Sequence, residues 1–257
     1  MGSTKQPPNY MVFRKPRTRT LRALNNIFVI TGIARNAVED ARQTLQAQRR
    51  GKLRFPIPTV QGDKVVVARR RTKILSLLGQ AVDRDFFSQA VVPAVALTES
   101  YLGEMLGLIL RAYPKKLEAS EKKVGLDLIL EAKHLHEVLD AVISDQIHSA
   151  FYASPTKYFK YIEETLSISI PEACKASYAE VKATRDIFVH NGGIANTLYR
   201  EKAGTLARAA DGASLPLDEP YFSSAITSMK AIVQSVYQEL LEKYGHTRDL
   251  TNPELRR

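Results

Sequence analysis

Arg185, Asp186, His190 and Asn191 lie together in the stretch TRDIFVHNGG, Thr184 to Gly193. An imidazole exchanges protons near neutral pH, and a place in the last turn of a helix favours its cationic form. Asp186 precedes His190 by four residues, one helical turn, which is the spacing needed to orient the ring and favour its charge. Arg185 brings a fixed planar cation suited to phosphate oxygens or to a developing oxyanion. A cation beside an acid–base imidazole, with no cluster of metal ligands, suits transesterification of a phosphodiester without a metal. There is a geometric difficulty: on a straight helix Arg185 and His190 are about 140° and about 7.5 Å of rise apart. Either the long Arg stem wraps round the helix, or two copies meet so that Arg and His converge across a two-fold axis. A plainer reading stands beside this one, in which Arg185 pairs with an acidic side chain and His190 only completes the helix dipole.

These residues need a helix to position them, and the sequence carries its signals. Pro171 suits a first turn and Glu172 favours the positive end of the dipole. No Gly or Pro follows until Gly192 and Gly193, which form a natural stop. At about 100° per residue, Cys174, Tyr178, Val181, Arg185 and Phe188 share one stripe, so Arg185 interrupts an apolar face. Ala176, Ala179, Ala183 and His190 lie roughly opposite, and their small side chains let another helix approach closely. With both faces covered, this helix is expected at the centre of the fold.

The 257 residues are 44% hydrophobic, which suits one domain with extensions. The 37 basic residues outnumber the 27 acidic ones, for a net charge of +10 that favours an anionic partner such as nucleic acid. Charge alone does not separate RNA from DNA or from a membrane surface. The single cysteine, Cys174, excludes an intrachain disulfide and a cysteine-based metal site and fits a reducing compartment; its stripe makes it a core residue. No run approaches the ~20 apolar residues needed to span a bilayer, so no membrane and a cytoplasmic location are expected. Strand–helix alternation, a Walker-type loop, GxSxG and zinc spacing are all missing, which removes the common nucleotide hydrolases and zinc enzymes. No cofactor or metal is expected.

Residues 1–20, with Pro7, Pro8 and Pro16 among basic residues, read as a flexible basic tail. Residues 21–65 read as a helix ending at Gly51 followed by a connector, 66–245 as the main helical domain, and 246–257 as a polar tail. Val65 to Val82 is expected to be helical, and its cluster Arg69, Arg70, Arg71 and Lys73 is a candidate auxiliary contact to RNA as well as an ordinary solvated face. Asp83 to Tyr113 reads as one long helix bending at Pro93, and His134 to Tyr152 as another, its apolar set including Leu135. His134, His136 and His148 make no metal constellation and read as surface or packing residues. Ser154 and Pro155 cap and start a helix whose Tyr158, Phe159, Tyr161 and Ile162 read as core. A short helix over 194–203 begins beside His190, with Asn196 and Tyr199 as candidate substrate neighbours. After a loop over 204–218, a last helix starts at Asp218 and runs to about Tyr244.

Arg185-x4-His190, with a polar Asp186 after the Arg and Asn-Gly after the His, resembles the R-x4-6-H motif of the HEPN superfamily. The flanking SPTKYFKYIEETLSISIP and GGIANTLYREKAG look like the prokaryotic branch associated with RiboL-PSP and abortive-infection-like proteins. The likeness covers roughly residues 86 to 244. It implies an all-α, up-and-down bundle with an N-terminal helical extension, and a homodimer with the motif helices at or near the interface. It also implies a metal-independent endoribonuclease of a toxin or antiphage type. In that activity Arg185 stabilises phosphate charge, His190 moves the proton, and Asp186 and Asn191 support it. An antitoxin or a regulatory RNA is a further implied partner. The scheme in which a Tyr two residues after the His is modified is not supported, because that position is Gly192. A non-catalytic RNA-binding protein and a helical interaction scaffold remain as alternative readings.

Overall fold

The computed structural model describes residues 9–48, 51–119, 125–247 and 250. The chain is mostly helical, with one two-stranded antiparallel sheet. In order come α1 (Tyr10–Ala47), β1 (Lys52–Pro58), β2 (Lys64–Arg70), α2 (Arg71–Gln80), α3 (Phe86–Ala112), α4 (Leu126–Glu131), α5 (Leu135–Tyr152), α6 (Pro155–Leu166), α7 (Glu172–His190), α8 (Thr197–Ala203) and α9 (Glu219–Tyr244). A π-type turn over Ala81–Asp85 joins α2 to α3. No helix among the described residues is long and apolar enough to cross a membrane.

The core lies where α1, α3, α7 and α9 meet, closed by α6. Leu24, Val95, Leu102, Met105, Tyr178, Met229 and Val233 are sealed within it. Its rows follow the helical period: Leu102, Met105, Leu106 and Ile109 on α3 face Ile232, Val233, Val236 and Leu240 on α9. Pro93 sits inside α3 without ending it. The capping signals fall as the sequence predicts for α6 and α9: α6 starts after Ser154 with Pro155 in its first turn, and Asp218 accepts from the Tyr221 amide at 2.9 Å to start α9.

Three expectations need correction. Residues 10–20 are not a tail: α1 begins at Tyr10, buries Phe13, Pro16 and Thr20, and carries Pro16 inside the helix. What holds that start is Asn9, fully buried, whose Nδ2 donates to the Tyr244 carbonyl (2.6 Å), the Thr247 carbonyl (2.7 Å) and Thr247 Oγ1 (3.0 Å) at the far end of α9. α1 then runs antiparallel to α9, stacking Phe28 on Phe222 and pairing Arg35 with Glu219. Second, the connector and the first part of the 65–82 segment form the β1–β2 hairpin rather than loop and helix. Val65, Val66 and Val67 are β-branched, and Pro56 and Pro58 are tolerated because a two-stranded ribbon has only edges. Third, Leu135 is 84% exposed; α5 instead buries Ile143, Gln146 and Ala150.

Candidate functional site

α7 sits between α3, α8 and α9. Its apolar stripe buries Tyr178 and Val181, with Cys174 and Phe188 partly buried against the same core. Ala183, on the small-residue stripe, packs with Ala195, Tyr199, Ala203 and Leu215, so here the stripe takes the short α8, whereas Ala179 packs on the main core. At the C-terminus the Asn191 and Gly193 amides both return to the Ile187 carbonyl, at 2.9 and 3.2 Å. Gly193 has φ +83°, and a Cβ there would meet the Phe188 ring at 3.0 Å, so the turn requires glycine.

A cleft of about 630 Å³ opens beside this helix, and Arg185, Asp186 and His190 all line it. The Arg185 guanidinium swings toward α3, where Nη2 donates to Glu99 at 3.2–3.3 Å, and its Nε lies 3.3 Å from Asp186 Oδ1 without hydrogen-bond geometry. Lys182, one turn earlier, bonds the same Glu99 and donates to the Phe151 carbonyl at 2.9 Å, with Nζ 4.8 Å from the Tyr158 ring centroid. Lys202 of α8 donates to Asp186 Oδ2 at 3.0 Å. Three cations thus face two carboxylates around the cleft, an excess of one positive charge. The inner wall is aromatic, with Tyr158, Phe159 and Tyr178. Burial, then their mutual proximity for Tyr158 and Glu99 for Tyr178, holds both phenols protonated well above the usual tyrosine range. At the mouth His148 and Tyr152, one turn apart on α5, lie with ring centroids 4.8 Å apart, and both are exposed.

Asp186 does not orient His190: its oxygens face Lys202 and Arg185, and His190 is exposed at the end of α7. Lys182, Lys202 and Glu99 were not singled out by the sequence, and His148 read as a surface or packing residue. Glu99 and Lys202 lie on other helices. Lys182 sits one turn before Asp186, and His148 becomes a cleft residue only where α5 meets α7.

The remaining candidates divide by role. Asn191 is exposed and its Nδ2 donates to the Ile194 carbonyl at 2.5 Å, a helix-end contact. Asn196 caps α8, accepting from the Tyr199 amide at 2.9 Å. Tyr199 is 1% exposed and is no substrate neighbour; it belongs to a buried network. Glu180, 5% exposed, accepts from Thr184 Oγ1 (2.8 Å), Tyr199 OH (3.0 Å), Arg208 Nε (2.9 Å) and Tyr221 OH (2.8 Å). Arg208 lies over the Tyr221 ring at 3.4 Å and also bonds Thr184 and the Pro216 carbonyl. This network fastens the segment after α8 to α7 and α9, and through α8 it fixes Lys202. Arg69, Arg70, Arg71 and Lys73 line no part of the cleft. Arg71 donates to the Leu45 and Gln46 carbonyls at 3.1 and 3.2 Å, closing the C-terminus of α1.

Among the described residues no three His, Cys, Asp or Glu side chains converge as metal ligands. Compared with known proteins, the chain matches no family model, no curated protein and no solved structure.

Proposed function

We propose that the cleft is the site of metal-independent RNA cleavage, of the toxin or antiphage type implied by the HEPN resemblance. One observation carries this reading: Arg185, Asp186 and His190 line a single cleft together with Lys182, Lys202 and a second imidazole, His148. The ribose 2′-OH attacks phosphorus, forming the O2′–P bond and breaking the P–O5′ bond. An imidazole takes the 2′-OH proton, and an imidazolium gives a proton to the leaving O5′. His190 and His148 are the two groups available for these transfers. Arg185, held by Glu99, stabilises the charge gathered on the phosphoryl oxygens. Tyr152, exposed at the mouth, receives a base by stacking. Exposed Val189, Ile194 and Leu198 around the motif supply an apolar rim for a second copy, in keeping with a homodimer. An antitoxin or regulatory RNA would be a partner of this same activity.

A scaffold reading has its own supporting observation: Lys182 and Arg185 both bridge Glu99, and Asp186 bridges Lys202, so these charges already satisfy one another. The deciding experiment incubates purified protein with RNA in EDTA. Cleavage leaving 2′,3′-cyclic phosphate ends supports the nuclease. Salt-dependent affinity without cleavage supports a non-catalytic RNA-binding protein, and no RNA affinity leaves the scaffold.

A further inference from the structure

We infer that the β1–β2 ribbon is a second nucleic-acid site, separate from the cleft, whose basic face holds the phosphate backbone of double-stranded RNA. The ribbon stands at the tip of an arm. Past Arg35, where α1 meets the start of α9, Leu45 is the only buried side chain among the described residues of α1, and α2, packed beside it, buries none. The hairpin joins the ends of these two helices, and among the described residues its main packing partner is α2. Seven residues per strand make it about 23 Å long.

The register sorts its side chains into two unlike faces. Lys52 pairs with Arg70, Arg54 with Ala68, Pro56 with Val66, and Pro58 with Lys64, so Lys52, Arg54, Lys64 and Arg70 share one face. Every residue on that face is exposed. The other face carries Leu53, Phe55, Ile57, Val65 and Val67, with Arg69 at its end. None of Lys52, Arg54, Lys64 and Arg70 pairs with a carboxylate among the described residues. Residues 51–73 hold seven basic side chains and one acidic one, Asp63 at the turn, so six of the chain's ten net positive charges sit here. A cationic ribbon of this kind binds polyanions by counterion release. A lipid surface fits poorly, because inserting the apolar face would turn the four cations away from the headgroups. The choice of RNA over DNA rests on the cleft reading; an A-form stem offers a wide, shallow minor groove flanked by phosphates along which the ribbon can lie.

The test measures binding on a His190→Ala background, so that it does not depend on cleavage. The probes are an RNA duplex of about 20 base pairs, the same DNA duplex, and anionic phospholipid vesicles, titrated from about 50 to 200 mM salt. The variant Arg54→Ser/Lys64→Ser/Arg70→Ser should keep the wild-type unfolding midpoint. It should lower the salt slope for duplex RNA by between two and three and weaken binding on the order of 10²-fold near 0.1 M salt. A control, Lys115→Ser/Lys157→Ser/Lys160→Ser, removes equal charge elsewhere and should change the slope by less than one. Equal losses in the two variants, or none in the ribbon variant, overturn the site. DNA or vesicles bound as tightly as duplex RNA overturn the choice of occupant. Wild-type protein that binds duplex RNA through the ribbon yet never cleaves RNA sinks the cleft reading alone.

Discussion

Glu180→Ala should be the most damaging single change to the scaffold that holds the cleft. The carboxylate is buried and accepts four hydrogen bonds, one of them from Arg208, whose side chain is 22% exposed. Removing one partner of a buried pair costs about 3–5 kcal/mol, mostly because the other charge is left uncompensated. Arg208 keeps its bonds to Thr184 and the Pro216 carbonyl and is partly solvated, which puts the loss at the low end, about 3 kcal/mol. For a chain of this size that lowers the unfolding midpoint by roughly 6–12 °C. Glu180→Gln keeps the volume and one acceptor and should cost less, about 1–2 kcal/mol. Urea unfolding gives the energies, and amide exchange over 197–217 shows whether the segment carrying Lys202 is released. A double-mutant cycle with Arg208→Ala should return a coupling above ~1 kcal/mol. A Glu180→Ala cost below ~1 kcal/mol with unchanged exchange would refute the reasoning, since the network would then hold nothing in place.

Two further outcomes follow from buried groups. Asn9→Ala removes three bonds tying the start of α1 to the end of α9 and should cost about 2–3 kcal/mol in urea unfolding; a cost under ~0.5 kcal/mol would show that α1 is held without it. Burial raises Tyr101, Tyr158, Tyr178 and Tyr221 above the ~10 of an unfolded phenol, so their contribution is fully present below about pH 10 and is lost as pH rises beyond it. Alkaline titration by phenolate absorbance should leave these four protonated until unfolding; all 11 tyrosines of the native protein titrating together near pH 10 would contradict this.

Local signals made much of the scaffold readable. Ser154-Pro155 placed the start of α6, Gly192-Gly193 the end of α7, and the period of apolar residues placed α9. The start of α1 was hidden because Pro16 and the surrounding charges read as a tail, whereas the contact that fixes it joins Asn9 to Tyr244, at the other end of the chain. The ribbon was hidden because its prolines suggest a loop and its valines also fit a helix. In the candidate site, Arg185 and His190 were visible as types at a spacing, but their partners were not. Glu99 comes from α3 and pairs with Arg185, while Lys202 of α8 takes the Asp186 contact that a single-helix view assigned to His190. The network on Glu180 joins residues from three parts of the chain, and no spacing announces it.

The most direct measurement compares wild type and His190→Ala for RNA cleavage in EDTA, with thermal unfolding and RNA affinity followed on the same preparations. His190 is exposed at the end of α7, so its removal should leave the fold intact, whereas Arg185→Ala would also strip a partner from Glu99. Loss of the proton carrier should cut cleavage by at least ~10²-fold while unfolding and affinity hold. Full activity in the variant, or a fall only in proportion to lost folded protein, would contradict the account.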